Sequence, residues 1–180
     1  MVTQKEFYFI RHGQTDYNIS PLNLKVDHPV EIPLNEMGRK QARSVEPLIA
    51  SLPIQAICSS PLQRVQETKD LITVNLQATH YIIDDLGECS SEIWREMRCL
   101  LDHFSLSNES VVWSFLDRVK KGINQALLLP GPTLIVAHGG VHFALCHLMK
   151  MEGHEWVIDN CIPVHFFLDD TGKWAAKKLV

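Results

Sequence analysis

The sequence predicts an α/β protein, specifically a three-layer α/β/α sandwich with a mostly parallel central sheet. Short apolar runs typical of strands alternate with longer segments whose apolar residues recur at helical spacing. Polar residues follow each of the first four strand-like runs, as expected where parallel strands end at a ligand-binding edge. No repeat, low-complexity tract or linker divides the 180 residues, so we expect one domain over residues 1–180.

The strands are predicted from short runs rich in β-branched and aromatic residues. In chain order they cover residues 7–10, 54–58, 81–83, 133–137, 164–168 and 174–179. The last two flank Asp170-Thr171-Gly172, a turn sequence, and should therefore pair as a hairpin.

The helices are predicted where a capping residue precedes apolar residues spaced three or four apart. Their predicted starts are Asn35, Ser60 with Pro61 in the first turn, a segment near Ile93 that reaches Phe104, Ser110, and the bend at Gly139-Gly140. Pro47 lies inside the first helix and lacks a backbone N–H, so we expect a kink or an early end there.

Charge and composition disfavour several kinds of partner. The formal net charge is −4 and the sequence pI about 6.1, so no overall basic field favours nucleic acid or an anionic membrane. The longest apolar stretch, residues 127–137, is interrupted by two prolines and cannot span a bilayer. Five cysteines without a C-x-x-C pair, together with an N-terminus that lacks a signal-peptide pattern, predict reduced, mostly buried thiols in a cytoplasmic protein.

Five side chains with complementary chemistry are predicted to meet at the carboxyl edge of the sheet. They are Arg11 and His12 after the first strand, Arg64 after the second, Glu88 after the third and His138 after the fourth. Arginine binds phosphate oxygens in pairs, and a neutral imidazole can accept and release a phosphoryl group. A carboxylic acid can protonate a departing alcohol and later deprotonate water. This set therefore predicts phosphoryl-transfer chemistry.

Four segments resemble the signature motifs of the histidine phosphatase superfamily, the phosphoglycerate mutase-like proteins. They are Arg11-His12-Gly13-Gln14-Thr15 with Asn18, residues 33–42 (PLNEMGRKQA), residues 59–64 (SSPLQR) with Glu67-Thr68, and residues 136–141 (VAHGGV). All four occur in family order between about Phe7 and Met149, whereas an Arg-His-Gly triplet alone would be a weak signal. The resemblance implies a phosphoglycerate mutase-like fold.

The resemblance also implies a role for each site residue. His12 would accept the phosphoryl group and Glu88 would act as the acid. The groups implied to hold the phosphate are the side chains of Arg11, Asn18, Arg64 and His138 and the amide of Gly139. No metal and no cofactor are implied, because the arginines and histidines neutralise the phosphate charge.

The acid and the mutase-specific elements match the family less closely. Residues 86–94 keep only part of the family's glycine and tryptophan pattern, so Glu88 is assigned from its place after the third strand, with Asp85 and Glu92 as alternatives. The segment between Asn18 and Pro33 lacks the threonine-glycine element of the mutases, and 180 residues leave little room for a substrate lid. Both departures favour hydrolysis over mutase chemistry.

The predicted function is a metal-independent phosphatase acting on a phosphorylated small molecule or phosphopeptide, with substrate and oligomeric state left open. The alternatives are phosphoglycerate mutase-type transfer and a non-catalytic phosphate-binding adaptor without a competent acid. A third possibility is a cysteine-dependent phosphatase, since Cys58 and Arg64 have C-x₅-R spacing. That loop contains Pro61, which has no N–H to offer a phosphate, and no glycine, so this alternative is disfavoured.

Other basic residues near the motifs are expected to be structural or solvated. His142, one turn after His138, is expected to have a packing or surface role. Arg95 and Arg98 are expected to lie on a solvated helix face.

Overall fold

The computed structural model describes residues 1–19, 31–102, 107 and 110–179, and it confirms the predicted fold class. Strands β1–β6 span Phe7–Arg11, Ala56–Ser59, Thr79–Ile82, Thr133–Ala137, Pro163–Leu168 and Trp174–Lys178. Helices α1–α6 span Asp16–Ile19, Glu36–Ala50, Gln63–Ile72, Ser91–Arg98, Val111–Leu127 and Gly139–Leu148, with short 3₁₀ turns at Asp84–Leu86 and Cys99–Asp102. Each predicted strand is found, and its ends move by no more than a residue or two.

The six strands form one sheet in the order β3-β2-β4-β1-β5-β6. The first four are mutually parallel, β5 runs antiparallel to β1, and β6 pairs with β5 as the predicted hairpin. Arg11 is level with Ala137, and Ser59 is level with Val136. The carboxyl ends of β1, β2 and β4 therefore meet at one edge, and the residues that follow them are neighbours in space.

Alternating strand residues supply the two sides of the core. Phe7 and Phe9 face the layer formed by α4, α5 and α6, whereas Tyr8 and Ile10 face α2 and α3. Phe7 also stacks on Phe166 of β5 at a ring-centroid distance of 4.9 Å. Burial of each such side chain contributes about 1.5–3 kcal/mol, so the sheet edge that carries the polar site rests on a well-packed base.

The first long helix begins as predicted but ends later. The Asn35 side chain accepts a hydrogen bond from the Gly38 N–H at 2.8 Å and so caps α2. The helix continues past Pro47 to Ala50, so the predicted early end is wrong. Ile49 lies beyond the proline and is fully buried, and this packing offsets the hydrogen bond that the proline removes.

The predicted helix start at Ser60-Pro61 is also wrong. Helix α3 begins at Gln63, and its N-cap is Leu62, which makes no side-chain cap. The Ser60 hydroxyl instead lies 2.9 Å from Nε2 of His138. The same oxygen accepts from the Leu62 N–H at 3.4 Å, so Ser60 combines a turn before α3 with a contact to a residue far along the chain.

The remaining helix predictions fare differently. Ser110 caps α5 by accepting from the Val112 N–H at 3.2 Å, as predicted. Helix α4 ends at Arg98 and gives way to a 3₁₀ turn, and Phe104 lies outside the described residues. Within the described part of the chain, no helix has the length and apolar character needed to cross a membrane.

All five cysteines lie among the described residues, and each is a free thiol. Four are buried and Cys99 is exposed, which confirms the prediction of mostly buried thiols. Burial raises the pKa of the Cys58 thiol to about 12, so this group stays protonated near neutral pH.

Candidate active site

A cavity of about 320 Å³ opens beside the residues that follow the parallel strands. Its lining includes six of the seven sequence-predicted site residues, namely Arg11, His12, Asn18, Arg64, Glu88 and Gly139. The seventh, His138, is fully buried directly behind the lining, with its ring centroid 5.3 Å from that of His12. The structure therefore brings all seven residues together.

Two hydrogen bonds fix the backbone of His12, one at its N–H and one at its carbonyl. Its N–H donates to the Ala137 carbonyl at 3.0 Å, and its carbonyl accepts from Nδ2 of Asn160 at 2.8 Å. Its ring Nδ1 lies 2.8 Å from the Gly13 carbonyl oxygen. A carbonyl can only accept, so in the neutral ring Nδ1 carries the proton and Nε2 carries the lone pair.

The surroundings of His12 keep its ring neutral. The side chain is buried, and burial lowers its pKa well below the usual histidine range. The nearby guanidinium groups of Arg64 and Arg11 lower that pKa further, because a second positive charge beside them is unfavourable. A neutral imidazole with a lone pair on Nε2 is the state that can attack phosphorus.

Two arginines supply the positive charge of the cavity. Arg11 is the last residue of β1, and its Nη1 donates a hydrogen bond to the Ile158 carbonyl at 2.7 Å. Arg64 lies in the first turn of α3 with only 9% of its surface exposed. Burial lowers the pKa of both guanidinium groups and the Glu88 carboxylate opposes that shift, but both remain charged at working pH because arginine starts so high.

His138 is positioned by Ser60, whose hydroxyl contacts its Nε2. Its other ring nitrogen, Nδ1, is buried and has no hydrogen-bond partner. Burial lowers the pKa of His138 well below its usual range, and the neighbouring His12, Arg64 and Arg11 lower it further. His138 is therefore neutral, with one ring nitrogen left for a ligand.

Two buried side-chain nitrogens in this region have no hydrogen-bond partner within the described part of the protein. Among the described residues, the buried side-chain N or O atoms without a hydrogen bond are Nε of Arg11 and Nδ1 of His138. An unsatisfied buried polar group costs about 1–3 kcal/mol, so native proteins rarely leave one without a function. Both nitrogens belong to the site, and oxygens of a bound phosphate would satisfy them.

The structure separates the three candidate acids. Glu88 lines the cavity, and its Oε1 accepts from the backbone N–H groups of Gly140 at 3.1 Å and Cys89 at 3.0 Å. Asp85 instead forms an ion pair with Lys121 at 2.9 Å, and Glu92 is exposed on α4. Neither alternative lines the cavity, so the geometry favours Glu88.

The segment that carries Glu88 is held by one arginine from α5. Arg118 donates to the carbonyl oxygens of Asp85, Gly87 and Glu88 at 3.0–3.2 Å. Its guanidinium also lies 4.9 Å from the ring centroid of Phe115. Arg118 therefore fixes the backbone of the acid-bearing segment from behind.

Asn18 lies on the cavity wall with its oxygen already engaged. Oδ1 accepts from the backbone N–H and the hydroxyl of Thr15, at 3.0 and 3.1 Å. The donor that Asn18 can offer to a phosphate is therefore Nδ2. Most of the predicted polar stretch after Asn18, residues 20–30, lies outside the described residues.

Three other groups lack the geometry for catalysis. Cys58 faces the core from β2, and it is absent from the cavity lining, which counts against the cysteine mechanism. Arg95 and Arg98 are exposed on α4 and also lie outside the lining, as predicted.

The described residues contain one cluster with metal-ligand atoms in reach of one another, formed by His142, Cys146 and His154. These atoms lie within 4.8 Å of one another, and none of the three residues lines the cavity. Nδ1 of His142 is 3.0 Å from the Trp156 carbonyl and Nε2 is 3.2 Å from Nε2 of His154. His142 is thus fully buried and hydrogen-bonded, which confirms its predicted packing role.

Several residues of the site have no site role in the sequence analysis. They are Ser60 behind His138, Gly140 beside Glu88, Asn160 on the His12 carbonyl, Arg118 on the acid segment, and Trp94 and Ile158 on the cavity wall. Gly140 lies inside the fourth motif, so its importance could have been inferred from the sequence. Arg118, Asn160 and Ile158 act through contacts between distant segments, which no local pattern reports.

A mostly parallel sheet with two arginines and two histidines at its carboxyl edge gives an α/β protein whose site has the charges and hydrogen-bond donors suited to a phosphate group. The chain belongs to the histidine phosphatase superfamily (branch 1), whose family model matches residues 7–179. Proteins named as phosphatases and as a probable phosphoglycerate mutase are among its relatives.

Two curated relatives illustrate the range of that similarity. The uncharacterized phosphatase PhoE of Bacillus subtilis (strain 168) is 30% identical, over 93% of this chain and 90% of that protein. Agropine synthesis reductase of Rhizobium rhizogenes is 27% identical over 90% of this chain. The chain spans only 39% of the length of the reductase, so the match concerns one part of that protein.

Solved structures match this protein over nearly the whole chain. The structure of a putative alpha-ribazole-5'-P phosphatase from Escherichia coli K-12 superposes with a TM-score of 0.70 and 21% sequence identity. The match covers 98% of this chain and 96% of the other. At that identity it supports the fold rather than a shared substrate.

Proposed function

We propose that this chain is a metal-independent phosphatase that hydrolyses phosphate monoesters through a phosphohistidine intermediate on His12, with residues 1–180 acting as one domain. The observation that carries the proposal is the pair of unpartnered buried nitrogens, Arg11 Nε and His138 Nδ1, beside the neutral ring of His12. A phosphoryl group bound there has donors for its oxygens and a nucleophile for its phosphorus.

In the first step, the lone pair on His12 Nε2 forms an N–P bond while the bond from phosphorus to the ester oxygen breaks. Glu88 enters this step protonated and gives its proton to the departing oxygen, which leaves as an alcohol. The Gly13 carbonyl accepts from Nδ1–H and stabilises the positive charge that develops on the ring.

In the second step, the Glu88 carboxylate takes a proton from water as the water oxygen attacks phosphorus. The N–P bond breaks, its electron pair returns to Nε2, and inorganic phosphate leaves. Glu88 ends the cycle protonated and His12 ends it neutral, so atoms and charges balance over the two steps.

Charge on the transferring group is neutralised by protein side chains throughout. Arg11 and Arg64 contribute two fixed positive charges, and His138 contributes a hydrogen bond from Nδ1 when its proton resides there. By analogy with oxyanion holes, each such preorganised donor is worth roughly 10²–10³ in rate. This chemistry therefore needs no metal ion.

Turnover of 4-nitrophenyl phosphate in excess chelator tests the proposal. We expect activity in the wild type, loss by about three orders of magnitude or more in His12→Ala, and wild-type activity in Cys58→Ser. Full activity in His12→Ala would overturn the proposal, and loss confined to Cys58→Ser would establish the cysteine mechanism. A wild type that binds phosphate but turns over no ester would be the adaptor, and one that transfers its phosphate to 3-phosphoglycerate would be the mutase.

A further inference from the structure

We propose that the preferred substrates carry an uncharged aromatic or apolar leaving group next to the phosphate. This inference rests on the proposed phosphatase function and deepens it, because it concerns the part of the ester that leaves. It comes from the side chains of the cavity that the chemistry at His12 does not use.

The cavity has a charged floor and an apolar mouth. His12 and Arg64 are 3% and 9% exposed and lie at its base, whereas Val157 is 50% exposed and lies at its opening. Further apolar and aromatic side chains line the cavity beyond the phosphate site, namely Tyr17, Ile32, Cys89, Trp94 and Ile158, and the small polar side chains of Thr15, Ser90 and Ser91 lie among them. A phosphate on the floor therefore directs the rest of the ester past apolar surface.

Trp94 gives this wall a fixed aromatic surface. Its ring meets Phe143 edge to face at 5.6 Å, and Phe143 meets Trp156 in the same way at 5.2 Å. These contacts anchor the indole from the core side, while the cavity side stays open to a ligand. An aromatic group stacked there would gain about 0.5–1.5 kcal/mol beyond the apolar area that it buries, with little ordering cost.

The apolar wall is also tied to the phosphate site. Arg11 donates to the carbonyl of Ile158, the residue after Val157 on the wall. The guanidinium that faces the phosphate thus fixes the segment that faces the leaving group. Bound phosphate and bound apolar group would stabilise the same arrangement.

A second negative charge on the substrate would meet unfavourable surroundings. The charged side chains among the described lining residues are Arg11, Arg64 and Glu88, and the proposed chemistry engages all three at the transferring phosphate. Among these described lining residues, a carboxylate on the leaving group would face Trp94 and Val157 without a counter-charge. Desolvation of an unpaired carboxylate is costly, so such esters would bind weakly.

Primary alkyl esters test the inference because their leaving groups have similar basicity. We would compare kcat/KM for 2-phenylethyl phosphate, ethyl phosphate and 3-phosphoglycerate, and expect the phenylethyl ester to exceed each of the others by roughly tenfold or more. Trp94→Ala should raise KM for the phenylethyl ester by about tenfold and leave the KM for ethyl phosphate unchanged. Trp94→Phe should retain most of the preference, and Trp113→Ala, which changes an exposed tryptophan outside the lining, should retain all of it.

The outcomes separate this inference from the proposed function. Turnover of 3-phosphoglycerate as efficient as that of the phenylethyl ester would overturn the inference and leave the phosphatase standing. An equal loss on ethyl phosphate in Trp94→Ala would also overturn it, because Trp94 would then act only on the fold. If no ester is hydrolysed, the phosphatase proposal fails, and calorimetry with 3-phenylpropylphosphonate and propylphosphonate decides the inference: the aromatic phosphonate must bind about tenfold more tightly.

Discussion

The backbone N–H of Gly140 donates to Oε1 of Glu88 at 3.1 Å, and a Cβ atom at position 140 would overlap that oxygen. The hydrogen bond joins the first turn of α6, directly after His138, to the segment that carries the acid. A side chain at 140 would also come within 2.6 Å of Cys89 Sγ. The second glycine of the His-Gly-Gly motif therefore positions Glu88, the proposed acid, whereas the sequence analysis assigned only Gly139 a role.

Gly140→Ala is expected to displace Glu88 and lower kcat for alkyl phosphates on the order of 10²-fold, because misplacement of a catalytic group by about 1 Å has that effect. Gly139→Ala is the matched control, since a Cβ there would sit 3.5 Å from the Arg11 guanidinium, an ordinary contact. Its kcat should stay much closer to wild type. Equal losses in the two variants would show that Gly140 has no special link to the acid.

Glu88→Gln is expected to affect substrates according to their leaving groups. Nitrophenolate departs without protonation, so kcat/KM for 4-nitrophenyl phosphate should fall by less than about tenfold, whereas that for ethyl phosphate should fall by roughly 10²–10⁴. Asp85→Asn removes the partner of Lys121 and should show no such dependence on the leaving group. If the leaving-group dependence appears in Asp85→Asn or Glu92→Gln instead, the acid has been assigned to the wrong residue.

Acid should destabilise the fold through its buried histidines. Burial lowers the pKa of His142 to about 3, so the unfolded chain binds one more proton at this site between about pH 3 and pH 6.5. The free energy of unfolding that the neutral His142 contributes above pH 6.5 is therefore lost as the pH falls below 6.5, at up to about 1.4 kcal/mol per pH unit.

Urea unfolding at several pH values between 7.5 and 5 measures that loss. His142→Gln should be less stable than wild type at pH 7.5, because it loses packing against Phe9 and Phe166, yet its stability should fall less steeply toward pH 5. His165→Gln changes a histidine that contacts Glu6 near the surface and serves as the control. Parallel pH dependences in wild type and His142→Gln would contradict the buried neutral state.

The sequence predicted those features that depend on local pattern or on strand ends. Short β-branched and aromatic runs predicted the strands, and the residue type of Asn35 before apolar residues at helical spacing predicted its cap, since both features are set by nearby residues. The convergence of His12, Arg64 and His138 followed from the parallel order of their strands, because carboxyl ends of such strands share one edge.

Features that depend on contacts between distant segments escaped prediction. The contact between the Ser60 hydroxyl and His138 joins segments far apart in the chain, and α2 passes through Pro47 because Ile49 is buried beyond it. The acid could be placed only to within three candidates. Arg118, on a separate helix, and Gly140 hold Glu88, the proposed acid, at the cavity through hydrogen bonds that no short motif encodes.

Rapid acid-free quenching of the enzyme during turnover of a ³²P-labelled ester tests the central claim most directly. The account predicts a labelled protein whose phosphate is stable in alkali and lost in acid, as for phosphohistidine, and whose label maps to a peptide containing His12. His12→Ala should carry no label. With labelled 4-nitrophenyl phosphate, Glu88→Gln should accumulate the label, because nitrophenolate leaves without the Glu88 proton whereas dephosphorylation needs the Glu88 base. A wild type that turns over without a labelled intermediate, or a label that persists in His12→Ala, would contradict the account.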